Sequence, residues 1–320
     1  MADFDVLSFG ETMAMFVADE PGDLARVQRF HKRIAGADNN VAIGLSRLGF
    51  KVAWLSRVGN DSLGRFVVDS LKAEGLDCRH VGVDDANPTG FQFKSLQLDG
   101  NDPAVEYFRR GSAASRMGVG DVPAELLNAR HLHATGIPAA LSESMNMLSR
   151  HLMTRMRAAG RSVSFDPNLR PSLWPSRARM IDEINSLAAL ADWVLPGLAE
   201  GQLLTGRQSP EDIAAFYLDR GAEAVVIKLG PQGAYYRSAT AEGYVEGRKV
   251  ANVVDTVGAG DGFAVGVVSA LLEGHSLAHA VARGNWVGSC AVQSPGDMEG
   301  LPTRADLDQD ERQQSARCAL

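Results

Sequence analysis

The chain has 320 residues, with 32 Lys and Arg against 39 Asp and Glu, which gives a formal net charge of −7. Its basic residues are dispersed, and this disfavours nucleic acid or an anionic membrane surface as a partner, because phosphate binding requires clustered positive charge. Hydrophobic residues at 45% and charged residues at 22% are typical of a globular protein and exclude a disordered or fibrous chain. No apolar run reaches the roughly 18 residues that a membrane span needs, so no membrane association is expected.

The three cysteines, Cys78, Cys290 and Cys318, are odd in number and widely separated. They therefore predict neither a disulfide framework nor a CxxC metal site, which fits a reducing compartment. The first residues lack a basic stretch before an apolar core, so no secretory signal is expected. Together these features predict a cytoplasmic protein.

Short apolar runs alternate with segments of helical periodicity along most of the chain. This alternation predicts an α/β fold, in which a mostly parallel central sheet is covered by helices on both faces. The polar segment 306–320 is expected to fray. In chain order, the predicted elements are strand 5–10, helix 39–48, strand 52–58, helix 62–73, strand 131–136, helix 143–158, strand 162–166, helix 177–190, strand 193–196, helix 210–220 and strand 224–230.

Two segments, 13–34 and 89–110, interrupt this order because neither has a convincing helical period. The second alternates apolar and polar residues on either side of a polar turn at 99–101, which is typical of a hairpin. We expect the two segments to pair into a small sheet that acts as a lid, since ligands bind at the carboxyl ends of parallel strands. Ordinary surface hairpins are the alternative. The exposed edge of such a lid would also allow a homo-oligomer to form through it.

The segment 255–261, with the sequence DTVGAGD, directly precedes a long apolar stretch. The small residues Gly258, Ala259 and Gly260 allow successive backbone N–H groups to converge where a helix begins, and this makes an anion site. Asp261 would lie at the mouth of that site, where phosphoryl transfer needs a base for the attacking hydroxyl. On spacing alone, a glycine-rich turn with Asp261 as a helix cap is the alternative.

Other nucleotide-binding and metal-binding patterns are not satisfied. The chain has no GxxxxGK[ST] loop, and Gly10-Glu11-Thr12 follows the first predicted strand in place of a GxGxxG turn. Neither a P-loop enzyme nor a Rossmann dehydrogenase is therefore predicted. His131 and His133 alternate along one predicted strand, and nothing nearby in the sequence completes a metal site, so a structural role is expected for both.

The segment 255–261 resembles the DTxGAGD signature of the ribokinase-like (PfkB-type) sugar kinases. The stretch 36–42, GADNNVA, is similar to the sugar-binding motif of that family, although Ala37 replaces the second glycine. The stretch 59–64, GNDSLG, resembles its GxDxxG segment, and 228–234, KLGPQGA, resembles its nucleotide-side KxGxxG turn. These matches occur in the family's order, which makes them far more specific together than singly. The chain is identified as a member of this family.

The resemblance implies one kinase domain over residues 1–320, with a ribokinase-like layered α/β core and a lid formed by 13–34 and 89–110. It also implies that ATP and Mg²⁺ are the cofactors. Asp261 is implied as the catalytic base. An aspartate has a free-solution pKa of about 3.9 and is a weak base, so we expect it to act by its position, late in the transfer. Residues implied to bind the sugar are Gly36, Asn40, Tyr107, Arg109, Arg170 and Asp261.

The resemblance further assigns the nucleotide side of the site. The amides of Gly258, Ala259 and Gly260 would form the anion hole for the γ-phosphate of ATP. Residues implied to contact ATP are Lys228, Gly230, Gly233, Gly258, Gly260 and Asn285.

A metal position is implied by a motif that this chain retains only in part. The family usually carries Asn-x-x-Glu before a helix, and both residues help to hold Mg²⁺ through water. Here the motif is Gly197-Leu198-Ala199-Glu200, so the glutamate is kept and the asparagine is lost. Glu200 is the expected metal residue, and Asp255 is expected to help order the site.

Two arginines are the residues from which the substrate is inferred. Arg109 ends the predicted lid hairpin, and Arg170 follows the predicted strand 162–166. A guanidinium binds a carboxylate bidentately, whereas a neutral sugar has nothing to balance an inward-facing arginine, so the pair predicts an acid group on the sugar. The alternatives are a solvated lid charge for Arg109 and a strand-end salt bridge for Arg170.

The stretches 107–109, YFR, followed by 112–115, SAAS, and 165–171, FDPNLRP, resemble the 2-keto-3-deoxygluconate kinases of this family. In that subfamily the positions of Tyr107, Arg109 and Arg170 contact the sugar acid. The resemblance therefore implies ATP-dependent phosphorylation of the 6-hydroxyl of 2-keto-3-deoxygluconate. A kinase for a neutral ketose such as fructose, and a non-catalytic sugar-binding protein of this fold, are the alternatives. The stretch 296–302, GDMEGLP, also resembles this subfamily, with no chemistry attached to it.

Overall fold

A computed structural model of the chain describes residues 3–96 and 103–318. Its strands are β1 (Val6–Phe9), β2 (Met13–Pro21), β3 (Phe30–Ala35), β4 (Val52–Gly59), β5 (Val81–Asp84), β6 (Phe91–Leu96), β7 (Val105–Phe108), β8 (His131–Thr135), β9 (Ser162–Asp166), β10 (Trp193–Val194), β11 (Ala224–Lys228), β12 (Gly233–Ser238) and β13 (Glu242–Glu246). Its α-helices are α1 (Ala37–Arg47), α2 (Ser62–Ala73), α3 (Gly136–Leu141), α4 (Glu143–Ala158), α5 (Arg177–Ala188), α6 (Leu198–Thr205), α7 (Pro210–Leu218), α8 (Ala259–Leu272), α9 (Leu277–Ala291) and α10 (Arg304–Cys318).

The larger sheet contains nine of the described strands, in the order β13-β12-β11-β10-β9-β8-β1-β4-β5. Neighbours from β11 to β5 pair in parallel, and β12 and β13 are added antiparallel at one edge. The predicted α/β class with a mostly parallel sheet is confirmed. Every strand and helix that the sequence predicted is present, with its ends shifted by at most two residues.

The smaller sheet, called the lid sheet below, has the strand order β3-β2-β6-β7. Each of the two interrupting segments folds into an antiparallel pair, and β2 joins β6 in parallel, with Ala14 opposite Phe91. The expected small separate sheet is confirmed, whereas the turn predicted at 99–101 lies outside the described residues. Asp61 in the GxDxxG stretch caps α2 through the Gly64 amide at 2.7 Å and accepts the Thr89 amide at 2.9 Å, so it fixes the chain just before β6.

Strand alternation divides the core between the two faces of the larger sheet. On β1, Val6 packs into one apolar cluster, while Leu7 and Phe9 pack into the other. Helix α8 lies within the first of these clusters and is buried along most of its length. A Cβ built on Gly266 would lie 2.6 Å from the Cα of Gly284, so α8 and α9 touch backbone to backbone. This contact fixes the axis of α8 and therefore the position of its N-terminus.

The prediction that 306–320 frays is wrong for the described part of that segment, which is helical as far as Cys318. Salt bridges hold this helix to the rest of the chain: Arg248 with Asp310 at 2.9 Å, and Arg283 with Glu311 at 2.7 Å. The sequence prediction considered only local polarity and lacked these long-range partners. None of the described helices is long and apolar enough to cross a membrane.

Candidate active site

A cavity of about 430 Å³ lies between the carboxyl-terminal side of the parallel sheet and the lid sheet. This size is within the range typical of small-ligand sites. The cavity is lined by the N-termini of α1 and α8, by residues that follow β1, β9 and β11, and by the inner side of β6 and β7. The sequence-predicted residues that line it are Gly36, Asn40, Tyr107, Arg109, Arg170, Glu200, Lys228, Gly258, Gly260 and Asp261.

Asp261 lies in the first turn of α8 and is only 8% exposed. The Asn40 amide donates to its Oδ2 at 2.8 Å, and the Asn168 amide donates to its Oδ1 at 3.3 Å. Burial raises the pKa of Asp261 to about 7, although the hydrogen bond from Asn40 and the charge of Lys228 act in the opposite direction. The expectation of a weak base with an ordinary carboxyl pKa is therefore wrong, and Asp261 is matched to proton transfer near neutral pH.

The turn before Asp261 has the geometry of an anion site. Gly258 has a φ of 80°, and a Cβ there would lie 2.0 Å from the Asp297 carbonyl oxygen, so only glycine fits. The first amides of α8 have no acceptor inside the helix, and they carry the positive end of its dipole. Because Gly258 and Gly260 line the cavity and Ala259 lies between them in the same turn, these amides are placed to bind an anion in the cavity.

Lys228, at the end of β11, reaches the same anion site. Its Nζ donates to Asp166 Oδ2 at 2.6 Å and lies 3.6 Å from the point where a Cβ on Gly260 would be. Burial opposes its charge, but the carboxylates of Asp166 and Glu200 outweigh that effect and raise the pKa of Lys228. The structure thus places a permanent positive charge beside the first turn of α8, where it can stabilise a transferring phosphoryl group.

The other residues assigned to ATP do not line this cavity. A Cβ on Gly233 would lie 2.0 Å from the Val245 carbonyl oxygen, so this glycine permits close packing of β12 against β13. Asn285, on α9, donates its amide to the carbonyl oxygens of Val245 and Glu246 at 3.2 and 3.0 Å. These contacts are structural, and the ATP contacts assigned to Gly230, Gly233 and Asn285 stay predictions.

Glu200 faces the cavity from α6, and both of its oxygens accept backbone amides, from Leu169 and from Gly197, at 2.8 Å each. Within the described residues, no group of three or more His, Cys, Asp or Glu side chains is placed to hold a metal ion directly. Glu200 and Asp166 nevertheless offer carboxylate oxygens to the cavity, which is the donor type that Mg²⁺ prefers when it also keeps its waters. These two residues therefore fit a metal held through water.

Asp255, the other residue expected near the metal, has a different partner. Its Oδ2 accepts from Lys94 Nζ at 2.8 Å, and its Oδ1 accepts from the Val257 amide at 3.0 Å. Because Asp255 does not line the catalytic cavity, the structure favours a role in shaping the turn over one in metal binding.

The two arginines on the sugar side have different surroundings. Arg109 forms an ion pair with Glu11 at 2.6 Å, and its side chain is 9% exposed. Arg170 is exposed and donates to the Leu169 carbonyl oxygen at 2.9 Å, and no carboxylate of the described residues lies within ion-pair distance of it. The argument that only a substrate acid can balance Arg109 is therefore wrong, because Glu11 already does so. Arg170 is the cation that an acid group would neutralise.

Sequence reasoning missed four carboxyl groups in the cavity, Glu11, Asp38, Asp166 and Asp297. Glu11 lies two residues after β1 and Asp166 ends β9, positions from which the carboxyl-end rule for parallel sheets could have found them. Asp38 is 1% exposed, burial raises its pKa to about 7, and its Oδ1 has no hydrogen-bond partner within the described part of the chain. A buried acceptor that faces a cavity in this way is suited to bind a sugar hydroxyl.

Comparisons with known proteins agree with this geometry. The family model described as pfkB family carbohydrate kinase matches residues 3–304. A 2-dehydro-3-deoxygluconokinase from Bacillus subtilis (strain 168) is 55% identical, covering 95% of this chain and 94% of that protein. The crystal structure of a PfkB protein from Polaromonas sp. JS666 has a TM-score of 0.89 and 55% identity, covering 95% and 99% of the two chains. A fructokinase from Vibrio cholerae O395, solved with fructose, ADP and calcium ion, has a TM-score of 0.83 and 28% identity, covering 95% and 97%.

Proposed function

The chain belongs to the pfkB family of carbohydrate kinases, and we propose that it transfers the γ-phosphate of ATP to the 6-hydroxyl of 2-keto-3-deoxygluconate. The observation that carries this proposal is one cavity with a buried base, Asp261, at a helix N-terminus and, at its sugar side, Arg170, which has no carboxylate partner in the part of the chain that the structure describes. The 55% identity to a protein named for 2-dehydro-3-deoxygluconate, the same sugar acid, supports it.

The chemistry follows from the residues around Asp261. Ionised Asp261 accepts the proton of the 6-hydroxyl as that oxygen attacks the γ-phosphorus, and the bond from phosphorus to the leaving ADP oxygen breaks. The first-turn amides of α8 and the Lys228 ammonium hold the charge of the transferring group, which is the largest contribution that a protein makes to this reaction. Asn40 and Asn168 keep the carboxylate oriented by donating one hydrogen bond to each of its oxygens.

Mg²⁺, when bound, neutralises the phosphate oxygens of ATP, and Glu200 and Asp166 are the residues that would hold it through water. The presence of a nucleotide and a divalent cation in a solved relative supports both cofactors. Asp166 also pairs with Lys228, so one carboxylate would serve the metal and the phosphate-binding lysine together.

The sugar acid is oriented with its carboxylate toward Arg170 and its 6-hydroxyl toward Asp261. Gly36 and Asn40, at the start of α1, and Tyr107, on the lid sheet, line the path between these ends. A Cβ on Gly36 would lie 2.2 Å from Asn39 Oδ1, so glycine is needed for the chain to turn into α1 beside the sugar. Asp38 and the Glu11–Arg109 pair supply acceptors and donors for the intermediate hydroxyls.

A neutral ketose such as fructose is the second candidate substrate, because Glu11 already balances the charge of Arg109. The two are separated by a coupled ADP-release assay with MgATP on 2-keto-3-deoxygluconate, 2-keto-3-deoxygalactonate, fructose and ribose. We expect kcat/KM for one of the sugar acids to exceed that of both neutral sugars by at least about tenfold, which is about 1.4 kcal/mol. A neutral sugar with the highest kcat/KM would refute the sugar-acid assignment while leaving Asp261 in place.

Three further expectations belong to this proposal. The whole chain, 1–320, acts as one kinase domain in the cytoplasm, with its lid built by 13–34 and 89–110. The lid sheet also pairs with a second copy through its edge strand β7, where Tyr107 and Phe108 are half exposed. Light scattering after size exclusion, on the wild type and on Phe108→Glu, tests the pairing through β7, since a charge at this edge would dissociate the oligomer.

A further inference from the structure

The stretch 296–302, singled out in the sequence without a function, begins in a turn between the lid sheet and the anion site. We call residues 295–299 the connecting turn. Two cations of the lid sheet reach it: Arg33 donates to the Pro295 carbonyl oxygen at 2.8 Å and pairs with Glu299 at 2.5 Å, and Lys94 pairs with Asp297 at 3.2 Å. The turn is therefore held from the lid side at both of its ends.

Lys94 is the more buried of these two cations. It is 4% exposed, and strand alternation on β6 directs it and Gln92 toward the catalytic cavity, while Phe91 and Phe93 pack with other aromatic rings of the lid sheet. Besides Asp297, its Nζ contacts Asp255 Oδ2 at 2.8 Å. One lid lysine thus joins two carboxylates that belong to different segments of the phosphate side.

Both of these carboxylates are tied to the turn that precedes α8. Asp255 accepts the Val257 amide at 3.0 Å and the Gly296 amide at 3.3 Å, which links 255–257 to the connecting turn. The Asp297 carbonyl oxygen lies so close to Gly258 that a Cβ there would be 2.0 Å away. A displacement of the Asp297 backbone would therefore be passed to Gly258 by direct contact, and a displacement of Asp255 would reach Gly258 through its neighbour Val257.

We propose that Lys94 is a positioning residue. It couples the position of the lid sheet over the sugar to the geometry of the anion site, through Asp255 and the connecting turn. A sugar that orders β6 then also orders the Gly258 turn, so sugar and ATP strengthen each other's binding. By thermodynamic linkage, the factor by which the sugar tightens ATP binding equals the factor by which ATP tightens sugar binding. Lys94 touches neither reacting atom and acts through the backbone that binds the phosphate. This inference rests on the proposed kinase reaction and names the residue that couples its two substrates.

The test is calorimetric titration of the full chain with Mg²⁺ and the non-hydrolysable analogue AMP-PNP, with and without saturating sugar. We expect sugar to tighten the Kd of the wild type for AMP-PNP by at least about fivefold, the lower range of allosteric coupling. In Lys94→Met, sugar should change the Kd for AMP-PNP by no more than about twofold. Lys32→Met is the matched control, because Lys32 is also on the lid sheet but is exposed and lies over the Phe66 ring at 4.3 Å, away from the connecting turn. It should keep the wild-type factor.

Lys94→Met leaves two buried carboxylates without their cation and is expected to lower stability. The double variant Lys94→Met/Asp297→Asn removes one of these charges, so it should recover thermal stability without recovering the coupling. Coupling that persists in Lys94→Met, or that returns in the double variant, would refute the inference.

Each titration is run with 2-keto-3-deoxygluconate and with fructose. If fructose binds and the sugar acid does not, the proposed substrate is contradicted, while the titration with fructose still tests the role of Lys94. A wild type that shows no coupling with either sugar contradicts the role of Lys94 itself.

Discussion

The guanidinium of Arg109 lies 2.6 Å from the carboxylate of Glu11, and Glu11 also accepts the Ser112 hydroxyl. The side chain of Glu11 is 1% exposed and that of Arg109 is 9% exposed, so both partners of the ion pair are buried. A buried cation with its own counter-ion does not require charge from the substrate. The pair instead places donors and acceptors in the cavity, and under the proposed function Arg170 is the residue expected to distinguish an acid from a neutral sugar.

Removing Arg109 alone should unfold part of the population, because it leaves a buried carboxylate unpaired, at a cost of roughly 3–5 kcal/mol. Arg109→Met should therefore lower the urea midpoint strongly, and Arg109→Met/Glu11→Gln should recover most of that loss. In the double variant we expect the preference for the sugar acid over fructose to persist. Its disappearance would return the acid-recognising role to Arg109.

Arg170→Ala should weaken catalysis on the sugar acid selectively. A charge-assisted hydrogen bond contributes about 1.5–3 kcal/mol, so kcat/KM for the acid should fall by roughly 10–150-fold. Turnover of fructose should change by less than about twofold. Arg207→Ala, another exposed arginine but outside the cavity, is the matched control and should leave both substrates unaffected. Equal losses on acid and fructose would show that Arg170 supports the fold of the site and does not select the acid.

Asp261→Asn should lower kcat by at least about 10²-fold, because general-base assistance is lost while the site keeps its shape. Binding of AMP-PNP and of sugar, followed by calorimetry, should stay within a few-fold of the wild type. In the wild type the base must be ionised, and burial raises the pKa of Asp261 to about 7, so kcat/KM should rise with pH below 7 and level off above it. A pH profile that is flat between about 5.5 and 8 would contradict this assignment.

Gly258→Ala should disable the anion site. The new Cβ would meet the Asp297 carbonyl oxygen at 2.0 Å, in addition to the strain that any side chain has at a φ of 80°. Gly274 has nearly the same backbone, with a φ of 83°, but nothing lies within 4 Å of its Cβ position, so Gly274→Ala is a control with the strain and without the clash. We expect both variants to lose roughly 1–3 kcal/mol of stability from strain and only Gly258→Ala to lose turnover. Similar turnover in the two would contradict the role of the turn.

His133 should make the stability of the protein depend on pH. Burial, with a contribution from the Lys228 charge, lowers the pKa of His133 from 6.5 to about 3. The unfolded chain therefore binds more protons between these values, so the free energy of unfolding decreases as pH falls below 6.5, with a slope of about 1.4 kcal/mol per pH unit for this one group. Urea unfolding at about pH 7.5 and about pH 5 should show a smaller decrease in His133→Gln than in the wild type. Equal decreases would contradict this assignment.

The structure also explains why the two strand histidines have a structural role, as the sequence indicated. His131 is hydrogen bonded to the hydroxyls of Ser162 and Ser164 at 2.8 Å each, and His133 is hydrogen bonded to Ser164 at 2.8 Å. These serines are on β9, which pairs with β8 in register. Both ring nitrogens of His131 and one ring nitrogen of His133 are therefore used in bonds to β9, whereas His133 Nε2 is buried with no hydrogen-bond partner among the described residues.

The alternation of apolar runs with helical segments determined the α/β class and the strands β1, β4 and β8 to β11, because burial against a sheet face depends mainly on the local pattern of the sequence. The strand β5 and the helices α6 and α9 were not among the predicted elements. The pairing of 13–34 with 89–110 could also be predicted from the sequence, since two extended segments without a helical period need partners. The edge strands β12 and β13 were also missed, because β12 is buried only in its first three residues and β13 has no buried residue, so neither has a strong local pattern.

At the site, the sequence brought the glycine turn, Asp261 and the two arginines together, and the structure places them in one cavity. The ordered family motifs allowed this prediction, since spacing alone left a helix cap as the alternative for Asp261. Only the tertiary structure decided that Glu11 pairs with Arg109, that Lys94 pairs with Asp255, and that Asp261 has a pKa near 7. These properties depend on which side chains from distant segments share one buried space. The pairing and the pKa of a charged group depend on its neighbours within a few ångströms, and those neighbours are known only when the chain has folded.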